Sequence, residues 1–162
     1  MMNKYIRASI ASAVLLACNS CINIRIPISR SDHHDPDFAA MTAVVFAKEA
    51  FIDLNQPEAY SFLSEEMQRS ASLDQYINKI ARMHPKAFPA EVTAEEYEKV
   101  QGKDAILIWL YGKKGDENFY YRLRMDGTIE TGYKVAEMMR LVQPPSSLSR
   151  RALVGRRSTA TL

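Results

Sequence analysis

The sequence is short of the residues that metal and redox chemistry usually draw on. It has two cysteines, Cys18 and Cys21, and three histidines, His33, His34 and His84. The cysteines form a C-x-x-C, but a redox or metal reading needs a helix start within a thioredoxin-like pattern or a second Cys pair, and neither is there. Asp32-His33-His34-Asp35-Pro36-Asp37 has the residue types of a metal site. Adjacent His side chains in a flexible segment rarely converge on one ion, and no distant set completes a shell. That segment reads as solvated linker, its acids suited to the positive end of the helix that follows. No metal and no cofactor is expected. G-x-S-x-G, P-loop, H-E-x-x-H and dinucleotide fingerprints are all missing. The uncharged run Ala8 to Ala17 is too short for a bilayer, which takes about 20 apolar residues. No acidic residue follows Glu137.

What is present suits one globular domain: 162 residues, 47% hydrophobic and 25% charged. Lys4 and Arg7 precede the apolar run, the layout of a secretory signal. Removing Met1 to Ala17 takes those two from the 21 basic side chains and leaves 19 against 19 acidic. Four of the 19 are Arg150, Arg151, Arg156 and Arg157 in the tail, so the rest of the mature chain is mildly acidic. A broad nucleic-acid-binding face is not supported.

Leu15-Leu16-Ala17-Cys18 resembles the lipobox of bacterial lipoproteins. The resemblance implies cleavage before Cys18, a diacylglycerol on its thiol, an acyl chain on its amine, and membrane attachment through that lipid. Leu16 is a less usual residue at its position than Ala or Ser. Asn19 rather than Asp resembles the pattern that sends enterobacterial lipoproteins to the outer membrane, facing the periplasm. Cys21 is then left as a second acylation site, a free thiol or an intermolecular disulfide. The expected layout is a signal peptide over 1–17, a lipidated tether over 18–36, a domain over 37–142 and a basic, disordered tail over 143–162.

The domain is organised around Asp104 to Met125, which reads as two strands joined by a polar turn and holds the single Trp. Ile106, Ile108 and Leu110 share one face, and Leu107, Trp109 and Tyr111 the other, so this is a central strand with something packed on each side. Phe119, Tyr121, Leu123 and Met125 alternate with Tyr120, Arg122 and Arg124 across the Gly112–Asn118 connection. Asp126-Gly127 offers a second tight turn into a last strand, bent at Gly132.

Upstream, Asp37 caps a helix to Leu54 with Phe38, Met41, Val44, Val45, Phe51, Ile52 and Leu54 at helical spacing. Pro57 starts a shorter helix with Tyr60, Phe62, Leu63 and Met67. Ser72 and Gln75 match a capping box for a third helix, which ends at His84-Pro85 with His84 on the surface. Pro89 to Val100 has helical Glu and Lys content, yet the tight Gly102-Lys103-Asp104 connection favours a strand with a bulge.

Helices followed by a curved antiparallel meander make an α+β plan. Three residue patterns carry a further likeness: the Asp37–Leu54 helix, the Gln56–Ser64 step, and the strand turns ending in Met125-Asp126-Gly127-Thr128-Ile129. In these the chain resembles the NTF2-like superfamily, the cone shared with ketosteroid isomerases and SnoaL-like cyclases, with Ile129 standing where Trp is common. The resemblance implies a cavity between sheet and helices, lined by Tyr60, Tyr76, Trp109, Tyr111 and Tyr121 with Arg122 or Arg124 as a polar contact; the plainer account makes these aromatics core. The favoured function is a non-catalytic envelope lipoprotein that binds a partner protein or small ligand. A SnoaL-like isomerase or hydrolase is the alternative, with Asp53 and Tyr60 as its best pair. A secretion-system or immunity component is the third. Oligomeric state is open, a dimer being compatible.

Overall fold

A computed structural model describes residues 33–144, 152–155 and 159–161. The expected signal segment over 1–17, Cys18, Cys21 and residues 18–32 of the expected tether lie outside them. The body is α+β: four helices and a six-stranded antiparallel sheet.

Helix α1, Pro36–Ala47, begins two residues earlier than expected, because Asp35 and not Asp37 is the cap. Its carboxylate accepts from the Asp37 and Phe38 amides at 2.9 and 3.0 Å, and Pro36 fills a first-turn position that needs no donor. The helix widens into a π-helical turn over Lys48–Ile52, closed by Asp53 N–H on Lys48 C=O at 2.9 Å. The face turned to the core is built largely of alanine: Ala39, Ala40, Ala43, Ala47 and Ala50 are fully buried beside Phe46 and Phe51. Met41 and Val45, expected inside, are 47% and 40% exposed. Small side chains let the helix backbone lie close to the sheet, and a seam chosen by side-chain size misses that. Leu54 ends the segment with a left-handed φ of 57°.

The expected second helix is two: α2, Gln56–Ser61, and α3, Glu65–Ser70. Ser64 breaks the run and caps α3. At the break Leu63 bridges Val135, with Val135 N–H on Phe62 C=O and Ser64 N–H on Val135 C=O. Helix α4, Leu73–Met83, has the expected capping box between Ser72 and Gln75. His84 follows it.

The strands are β1, Glu91–Lys99; β2, Ala105–Lys114; β3, Glu117–Thr128; β4, Gly132–Leu141; β5, Ala152–Leu153; and β6, Thr159–Thr161. The order is β4-β3-β2-β1-β5, with β6 also on β1. The strand reading of the Pro89 to Val100 stretch holds, and its bulge lies between Ala94 and Glu96. Asp126-Gly127 is not the second turn. Strand β3 continues to Thr128, the chain reverses over 129–131, and Gly127 pairs with Tyr133. Gly127 has φ 123° and passes so close to the Gly132 carbonyl that a Cβ would lie 2.0 Å from its oxygen. Its glycine serves a close approach, not a reversal.

The described residues that flank the domain are built into it. His33 to Asp35, placed in the tether, are docked: His33 C=O accepts from Ile129 N–H at 3.1 Å, and Asp35 N–H donates to Tyr133 Oη at 3.0 Å. The tail, expected to be disordered, supplies β5 and β6. Ala152 and Leu153 pair with Tyr97 and Glu96, and Thr159 to Thr161 with Thr93 to Glu91. The β1 bulge falls between the two pairings, where Val154 N–H donates to Glu95 C=O at 3.0 Å. The open backbone of β1 offers hydrogen bonds, and Val154 and Ala160 become buried in exchange. Short apolar stretches in an Arg- and Ser-rich tail were enough to dock it.

Candidate functional site

Directly opposed residues of an antiparallel ladder share a face, so the register sorts the expected lining residues. Leu110 stands opposite Ala94 and Tyr121, on the face that carries the helices. Trp109 stands opposite Glu96 and Arg122, and Tyr111 opposite Thr93 and Tyr120, on the other face. Tyr60, Tyr76 and Tyr121 are therefore on the helix side, while Trp109, Tyr111 and Arg122 are behind the sheet. The six do not meet in one cavity.

On the helix side the expected residues are packed among core side chains. Tyr60 and Tyr76 rings are 5.7 Å apart, and Tyr60 Oη lies 2.7 and 3.0 Å from the Ala71 and Gln68 carbonyls. Tyr76 is buried, and its Oη has no hydrogen-bond partner among the described residues. Asp53, the expected acid, is exposed and paired with Lys48, so the Asp53–Tyr60 pair is not assembled. A different pair occupies the interior. His84, expected on the surface, is 4% exposed and is sandwiched by rings: Phe88 at 4.5 Å, Phe51 at 4.9 Å, Tyr121 at 5.7 Å. Its Nδ1 lies 3.0 Å from the Ile80 carbonyl, which can only accept, so the ring proton sits on Nδ1. Nε2 is then the acceptor, and Tyr121 Oη donates to it at 2.7 Å. Burial holds the His84 pKa below its ordinary value, against the Ile80 bond and with the Arg140 charge. Burial also pushes the Tyr121 phenol well up. The result is a neutral, fully bonded pair among apolar rings. The sequence carried its signal: His84 continues the four-residue spacing Tyr76, Ile80, His84 into the core.

Behind the sheet, Arg122 donates to Glu137 at 2.8 Å, and Arg124 donates to Asp126 at 2.9 Å while lying 3.8 Å from Glu137. Tyr111 donates to Asn118 at 2.7 Å. Trp109 is 8% exposed, beside a hollow of about 140 Å³ that Pro144 also borders.

A surface with room and uncommitted charge lies elsewhere, between α4 and the end of β4. It is an open groove of about 650 Å³. Lys79, Arg82 and Lys86 stand on its helix side, with Met83, Met138 and Leu141 as apolar lining and Glu117 at its far end. Arg140 forms part of the wall: its guanidinium donates to Met83 C=O and lies 4.9 Å from the centre of the Phe119 ring. Lys79, Arg82 and Lys86 make no ion pair among the described residues. The arrangement holds three free cations over apolar surface, which suits attraction of negative charge and not proton transfer. Residue-type motifs gave no hint of it, because Lys79, Arg82 and Lys86 read on their own as a solvated helix edge. Only the return of β4 beside α4 makes them the rim of a groove.

No protein-family model, curated protein or solved structure matches the chain.

Proposed function

We propose that the chain is a membrane-anchored lipoprotein of the bacterial envelope, held by lipid on Cys18, whose domain binds a partner protein or small ligand without transforming it. The observation that carries the binding half is the α4–β4 groove, with its three unpaired cations above Met83, Met138 and Leu141. The anchoring half rests on Lys4, Arg7, the apolar run and Leu15-Leu16-Ala17-Cys18, and the outer-membrane, periplasm-facing location on Asn19. The helices-then-meander order, with bulges that bend β1 and β4, supports reading the α+β body as an NTF2-like domain.

The alternative, a SnoaL-like enzyme, draws on one observation: the His84–Tyr121 hydrogen bond inside the helix side of the sheet. A general base needs a free lone pair facing substrate, and His84 has both ring nitrogens engaged and almost no exposed surface. Binding is therefore the better reading.

Fractionation tests the anchor. Expressed in a bacterium, the chain is expected in the membrane pellet and a Cys18→Ser variant in the soluble fraction. Equal partition of the two into the soluble fraction would overturn the lipoprotein assignment.

A further inference from the structure

The groove runs beside a stretch of sheet edge that is itself open. Strand β4 pairs with β3 on one side, and on the other side Phe62 to Ser64 cover it only at Val135. From Met138 to Leu141 no described segment pairs with that second side. An unpaired strand edge presents a row of N–H and C=O groups that a further strand can take up. Past Val142 the chain reaches Pro144, which borders the Trp109 hollow behind the sheet. The described chain thus leads away from the helix side at this point.

A strand added here would send alternate side chains toward α4 and the others toward the back of the sheet. The side chains facing α4 would meet Lys79, Arg82 and Lys86, spaced at i, i+3 and i+7 along the helix and just past it. Lys79 and Arg82 lie about 4.5 Å apart along the axis at the helical rise of about 1.5 Å per residue, and Lys86 follows beyond the helix end. Side chains on one face of a strand recur about every 6.7 Å, so successive acids on that face meet different cations of the rim. Among the described residues the only acid bordering the groove is Glu117, at the turn end. The charge of the rim selects the occupant.

We propose that the α4–β4 groove takes an extended acidic segment of a partner protein, added as an outer strand to β4, with alternate Asp or Glu side chains against Lys79, Arg82 and Lys86. This deepens the binding reading above and rests on it, but not on lipidation. The apolar residues between the acids would extend the back of the sheet beside Met139, which is 41% exposed. Arg140, committed to Met83 and Phe119, holds the groove open and is not a free contact.

The test uses the full chain in whichever fraction it is recovered from, and a synthetic peptide of about nine residues alternating aspartate with valine, in keeping with the strand period. Titration by fluorescence anisotropy of the labelled peptide is expected to saturate and to weaken as salt is raised. The triple variant K79E/R82E/K86E is expected to bind at least about tenfold more weakly, since each rim charge passes from attraction to repulsion. Circular dichroism checks that it remains folded; its substitutions fall on partly or fully exposed positions. A peptide of the same composition with its acids clustered at one end, and one N-methylated on alternate backbone nitrogens, are both expected to lose binding. Equal binding of the clustered or N-methylated peptide, unchanged affinity in the folded triple variant, or no binding of the alternating peptide would overturn the proposal. So would displacement of the peptide by oleate with unaltered affinity for oleate in the triple variant, which would make the groove a fatty-acid site. Soluble recovery of the chain with intact peptide binding would sink the anchor alone.

Discussion

At the scale of single residues the least replaceable positions are those where backbone or a buried polar atom leaves no slack. Gly127→Ala would force a Cβ onto the Gly132 carbonyl at a φ of 123°, so a loss of roughly 3 kcal/mol or more is expected by urea denaturation. Leu54 is the converse case. It holds a left-handed φ of 57° with half its surface exposed, so Leu54→Asn should raise stability by about 0.5–1 kcal/mol. Tyr76→Phe removes a buried hydroxyl with no partner among the described residues and should be neutral or stabilising by up to about 1 kcal/mol. His84 sets a pH dependence. Its folded pKa is lowered chiefly by burial, so the unfolded chain binds the proton first as pH falls. Its contribution is fully present above about pH 6.5 and is lost as pH drops below that toward the folded value. Tyr121 and Arg140, the groups that face it, offer the charged ring no acceptor of negative charge. Thermal melts between pH 7 and pH 5 should fall more steeply for the native chain than for His84→Gln, whatever the variant's starting stability; equal slopes would remove His84 as the cause.

At the scale of elements, local chemistry was legible wherever it was self-contained. Ser72 and Gln75 announced the start of α4 because a capping box is complete within four residues. The short connection at Gly102 identified β1 as a strand against its Glu and Lys content, since a tight reversal into β2 leaves no room for a helix. Features that depend on distant partners were not legible. The alanine face of α1 follows from how near the sheet lies, the break at Ser64 from the Leu63–Val135 bridge, and the docking of the tail from the free edge of β1. The tail yields a prediction at this scale. Val154 is buried and its neighbour Leu153 is 73% exposed. Val154→Asp is expected to cost about 2–3 kcal/mol, and Leu153→Asp less than about 0.5 kcal/mol. Equal melting temperatures for the two variants would mean that β5 adds nothing to the fold.

At the scale of the molecule, the sheet divides one expected site into two surfaces. The aromatic residues that a cavity reading gathers together are shared between the helix side and the back of the sheet, because neighbours along β2 point in opposite directions. The α+β plan was readable from the order of apolar periods; the groove was not, since it needs α4 and β4 side by side. The proposed function rests on a proposed anchor at Cys18 and on a charged groove in the body. The anchor is the more exposed to refutation, and one measurement reaches it: the intact mass of the protein purified from bacterial membranes. The expected species is a chain that begins at Cys18 and carries the added mass of a diacylglyceryl group and an acyl chain. An unmodified chain that retains Met1, or one cut at another position, would contradict it.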